Sequence, residues 1–129
     1  MHPTFLFLSA LSAFFAVAFG AFGAHALKTI LSPDMLAVYK TAVTYQMWHA
    51  LGLGLISLLR YQHPQSSLIK YAGWLMFSGI LLFSGSLYSL SLSGIRWLGM
   101  ITPLGGVCFL SAWLLLMIFV WRNKTIMQQ

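Results

Sequence analysis

Four long apolar stretches, separated by short polar segments, make up nearly all of the 129-residue chain. A helix needs about 20 residues to cross the roughly 30 Å hydrocarbon core of a bilayer. The stretches run over about residues 4–27, 37–59, 70–92 and 98–121, so each is long enough. Between the first two, KTILSPDMLAVYK carries a helix-start signal. Ser32 is placed to cap, Pro33 fits the first helical position, and Asp34 suits the positive end of the helix dipole. The second helix is therefore expected to run from Pro33 until Arg60 ends it, with Lys40 and its first two turns in the interface. The connections YQHPQSS and SGIRW are short, as antiparallel hairpins require. The expected fold is an all-α, four-span, up-down-up-down bundle with short loops, a single membrane domain with a polar tail. The first stretch ends in small residues like a signal peptide, but it lacks a basic leader and its apolar run is too long. It is read as a retained span.

Composition strengthens this reading. The chain is 60% hydrophobic and 6% charged, where a soluble domain carries roughly 25% charged residues. Hydrocarbon is the only solvent that suits such a surface. The net charge of +6 arises because Asp34 is the only acid. The Lys and Arg residues stand singly at the ends of the stretches, not gathered into a groove, which argues against nucleic-acid binding. Placed there they snorkel toward headgroups, so membrane lipids are the expected partners. With both termini cytoplasmic, Arg60, Lys70, Arg122 and Lys124 lie inside and Lys28, Lys40 and Arg96 outside, the orientation that the positive-inside rule favours. Cys108 is the only cysteine, so no intrachain disulfide forms, and its apolar setting reads as packing.

Polar residues inside the stretches are clustered in GAFGAHALK (20–28), TYQMWHALGLG (44–54), SGSLYSLSLSG (84–94) and ITPLGG (101–106). In the first span Ser12, Ala16, Gly20 and Ala24 recur every fourth residue, a flat face for close helix approach. In the second, Tyr45 and His49 share a face with Gln46 adjacent. Such groups must point inward and find partners. His25 lies roughly 3 Å inside the membrane and His49 roughly 12 Å, by the 1.5 Å helical rise. A gap of about 9 Å argues against a haem pair, and no thiolate or carboxylate accompanies them for a metal. No metal or cofactor is expected. The same levels predict a His25–Gln46 or His25–Tyr45 hydrogen bond. In the third span Gly85 and Ser89 share a packing face. The serines there have no accompanying base to make a nucleophile. In the fourth, Pro103 with Gly105 and Gly106 predicts a kink. Broken helices of this kind, with Thr102 beside them, also line ion sites in transporters.

Taken together, GAFGAHALK, YQMWHALGL, GWLMFSGILLFSGSLYSLSLSG and ITPLGGVCFLSAW resemble the small bacterial inner-membrane proteins grouped as domain of unknown function 423. The eukaryotic transmembrane protein 256 is similar. The resemblance covers about residues 17–116. It implies a four-helix protein of the bacterial inner membrane and brings no established activity or catalytic residue. The leading expectation is a non-enzymatic structural or accessory membrane protein that self-associates through its small-residue faces. One alternative is an oligomeric transporter or channel-like component, its polar site formed by His25, Tyr45, Gln46, His49 and Thr102. Another is a lipid- or quinone-binding protein using Trp48, Trp74 and Tyr88. Catalysis ranks last, because no acid–base or nucleophile–base pair is visible.

Overall fold

The computed structural model describes residues 3–124. Within them the chain forms four helices long and apolar enough to span a membrane: α1 (Thr4–His25), α2 (Pro33–Gln62), α3 (Ser67–Ser93) and α4 (Thr102–Arg122). They run up-down-up-down, joined by short connections that include two 3₁₀ turns, Leu27–Thr29 and Arg96–Met100.

All four prolines sit at helix ends. Pro3 precedes α1, Pro33 opens α2, Pro64 lies in the turn before α3, and Pro103 sits in the first turn of α4. Proline lacks an N–H, and only the first turn leaves that donor without an intrahelical partner anyway. The kink expected at Pro103 is therefore absent. A 3₁₀ turn leads in, and Pro103 starts the helix. Arg60 does not end α2 either. The helix continues to Gln62, the His63 N–H closes onto Leu59 O at 2.8 Å, and Pro64 then cannot follow on. Arg60 instead donates from Nη1 to Ser66 O at 2.8 Å, tying the turn between α2 and α3. Ser32 caps α2 by accepting from the Met35 N–H at 3.3 Å, with Asp34 in the first turn. Gly94, at φ 72°, ends α3 in the left-handed conformation that glycine adopts without strain.

α3 contains one irregularity that the apolar pattern does not reveal, a π-helical turn at Ile80–Ser84. Its i→i+5 bonding adds a residue and advances the inward face by one position, about 100° of rotation. Before it, Ile69, Ala72, Met76 and Gly79 are buried; from its last residue onward, Ser84, Ser86 and Ser91 are. The expected face of Gly85 and Ser89 is consequently turned outward. Gly85 has open space beside it, and exposed Ser89 bonds back to Gly85 O at 2.8 Å. At the same level α4 approaches closely, because a Cβ on Gly105 would collide with the backbone of Phe83.

The interior divides along the membrane normal. Toward the end bearing Arg60 and Arg122 lies an apolar core of Phe5, Leu53, Ile56, Ile69, Ala72, Met76, Ala112, Leu116 and Phe119. The middle and the opposite half are held by polar contacts between helices.

Candidate functional site

Residues on one face of α2, at Tyr39, Ala42, Gln46, His49 and Ala50, are buried at i, i+3, i+7 spacing. From this face the polar groups reach three neighbouring helices. Gln46, 5% exposed, uses both ends of its amide. Nε2 donates to Ser12 O of α1 at 2.9 Å, and Oε1 accepts from the Tyr88 hydroxyl of α3 at 2.6 Å. The Tyr88 ring stands edge-on to Phe19 and Tyr39, with centroids 5.2 Å away in each case. Tyr39 in turn donates to Phe19 O at 2.6 Å. This first node joins α1, α2 and α3.

His49 forms a second node one turn deeper. Nδ1 lies 2.7 Å from Tyr45 O, and Nε2 lies 3.2 Å from the Trp113 Nε1–H of α4. An indole N–H only donates, so Nε2 must accept. Nδ1 then carries the proton and donates to the carbonyl, which defines a neutral imidazole with both nitrogens satisfied. The ring stacks on Phe109 at 3.5 Å between centroids, at 12°. Tyr45 contributes its carbonyl and its ring, which packs 4.5 Å from Phe83.

Three serines complete the pattern. Ser9 donates to Ala50 O and Ser84 to Ala42 O, both at 2.8 Å, and the Ser86 and Thr102 hydroxyls pair at 2.6 Å. Most of these acceptors are helical carbonyls, whose second lone pair is free after the i+4 bond is made. A hydroxyl or amide can thus join two helices in hydrocarbon without breaking either. Among the described residues no buried side-chain nitrogen or oxygen lacks a partner.

The expected site is therefore not one constellation. Gln46 belongs to the first node and His49 with Tyr45 to the second, while Thr102 pairs with Ser86. His25 is exposed at the end of α1, and neither predicted bond to it forms, because Gln46 is already engaged by Ser12 and Tyr88. Equal depth was a sound criterion, but direction around the helix decides contact. On α1, Ser12 and Ala16 are buried against α2, and Gly20 lies beside Val43. Ala24 is exposed, and Gly23 takes its place against the Tyr39 ring. Steps of four residues drift about 40° each on a helix of 3.6 residues per turn, so three steps carry the stripe off the interface. Ser9, Tyr39, Phe109 and Trp113 were missed. Tyr39 stands seven residues before Gln46 and could have been found by periodicity. Trp113 is 64 residues from His49 and carries no local signal.

Fold and polar interior together define a polytopic four-helix membrane protein whose intramembrane polar residues join helix to helix. The chain belongs to the family described as protein of unknown function (DUF423), which matches residues 19–106 and so includes Gln46, His49 and Tyr88. A UPF0382 membrane protein of Staphylococcus epidermidis is 50% identical over 114 residues, covering 88% of this chain and 92% of its own. The UPF0382 membrane protein YwdK of Bacillus subtilis is 47% identical over 114 residues, covering 88% and 93%. No solved structure matches the chain.

Proposed function

We propose that this protein is a non-enzymatic structural or accessory component of the bacterial inner membrane. One observation carries the reading: Gln46, Tyr88 and the Nε2 of His49 are engaged by groups on neighbouring helices, and the Nδ1 of His49 by a carbonyl of its own helix. No acid–base or nucleophile–base pair stands among them. Two open clefts of the bundle, one beside His63 and Arg122 and one beside Gly23 and Tyr39, are lined by neither Gln46 nor His49. A transporter built on these residues would need them directed at a pathway. In proteoliposomes, proton and potassium flux is expected to equal that of empty vesicles, with no change in His49→Ala. Flux above that background, lost in His49→Ala, would establish the transport alternative.

Self-association uses the small residues left unpartnered within one chain, Gly85 and Ser89. Both termini are cytoplasmic. The cations support this, since Arg60, Lys70, Arg122 and Lys124 gather at one end of the bundle and Lys28, Lys40 and Arg96 at the other. Single cysteines in a Cys108→Ala background test both points in native membranes. Ser89→Cys should crosslink into dimers, and Lys124→Cys should react with an impermeant maleimide only in inside-out vesicles. A persistent monomer, or labelling in intact cells, would contradict the respective statement.

A further inference from the structure

At the end of the bundle that carries Arg60 and Arg122, an open cleft of about 460 Å³ lies between the α2–α3 turn and the end of α4. His63, Ser66, Ser67, Phe119, Arg122 and Asn123 line it. Its walls are fixed. Arg60 holds Ser66 O at 2.8 Å, the His63 ring packs edge-on to Phe119 at 5.0 Å, and Asn123 Nδ2 donates to Phe119 O at 2.8 Å. Arg122 is different, because among the described residues its guanidinium has neither a hydrogen-bond acceptor nor a carboxylate. The one acid of the chain, Asp34, opens α2 at the opposite end. Four cations therefore share this end with no acidic side chain.

The level of the cleft is set independently. α4 has 21 residues between Thr102 and Arg122, about 30 Å at the helical rise, so Arg122 falls at the boundary of the hydrocarbon core. Tyr61, Tyr71 and Trp121 are 70%, 60% and 73% exposed around the same end, as in the aromatic belt that marks headgroup depth. Lys124 lies over the Trp121 ring at 4.5 Å and is not among the residues that line the cleft. A polar, cation-bearing recess at headgroup depth meets phosphodiesters at high local concentration. Its guanidinium offers the forked donors that phosphate oxygens accept.

We propose that this cleft binds the phosphodiester headgroup of an anionic phospholipid, with Arg122 as the charge-bearing contact and the Ser66–Ser67 segment and His63 as its polar walls. The site is separate from the helix-joining nodes, so it stands or falls independently of the structural reading above.

Native mass spectrometry of the full chain tests it, with equal amounts of dioleoyl-phosphatidylglycerol and dioleoyl-phosphatidylcholine added. The wild type should retain phosphatidylglycerol in preference. Arg122→Gln should lower that preference about fivefold, the effect of one interfacial charge. Lys70→Gln removes the same charge from the same end but outside the cleft, and should leave the preference within about twofold. Absence of preference in the wild type would overturn the proposal. So would equal loss in both variants, which would mean diffuse attraction to the surface. Release of the lipid by millimolar inorganic phosphate would reassign the cleft to small free anions and equally overturn the lipid assignment.

Discussion

Gln46 shows how a polar side chain is accommodated in hydrocarbon. Its amide is bonded at both ends, to a carbonyl of α1 and a hydroxyl of α3. Gln46→Leu keeps the bulk and removes both bonds, leaving the Tyr88 hydroxyl without its acceptor. An orphaned polar group costs roughly 1–3 kcal/mol, more than the bond itself contributes. The variant should unfold at correspondingly lower denaturant in a detergent titration followed by circular dichroism, and an unchanged midpoint would count against the assigned bonds. Residue chemistry was legible in the sequence up to this point: Tyr45, Gln46 and His49 stand out as polar groups that need partners. The partners were not legible. Tyr88 is 42 residues from Gln46, and which side chain meets which depends on rotation about helix axes that composition does not encode.

At the level of elements, the spans follow from hydrophobic length, and their ends from the prolines and from the Ser32 cap. The π turn at Ile80–Ser84 is the exception, since ILLFS is as apolar as its surroundings. It moves Ser84 and Ser91 inward and leaves Gly85 and Ser89 outside. The face that Gly85 and Ser89 share is thereby turned away from the bundle interior. Opposite the turn, Gly105 and Gly106 are neighbours with different roles. A side chain at Gly105 meets the backbone of Phe83, which cannot give way as a flexible side chain would, whereas Gly106 has nothing within reach. Gly105→Ala should therefore destabilise the bundle by about 1–3 kcal/mol. Gly106→Ala should be neutral or gain up to about 1 kcal/mol of helix propensity. Equal effects of the two substitutions in thermal unfolding would refute the close crossing of α3 and α4.

For the molecule as a whole, an apolar core at one end and hydrogen-bonded nodes toward the other divide the task of holding four helices together. Lipid tails are as apolar as leucine, so packing alone offers little preference for helix contacts over lipid contacts. Specific polar bonds supply direction, and the node at Gln46 joins three of the four helices at once. The family match and the relatives at about half identity place the chain among membrane proteins of unknown function, and in its interior the polar residues bond helix to helix. The most direct test is a double-mutant cycle of Gln46→Leu and Tyr88→Phe on unfolding of the purified protein in detergent. Replacing both partners by apolar groups should recover much of the loss, giving a coupling energy between about 0.5 and 2 kcal/mol. Strictly additive effects with no coupling would show that Gln46 and Tyr88 do not hold the helices through each other, and would contradict the structural reading of the polar interior.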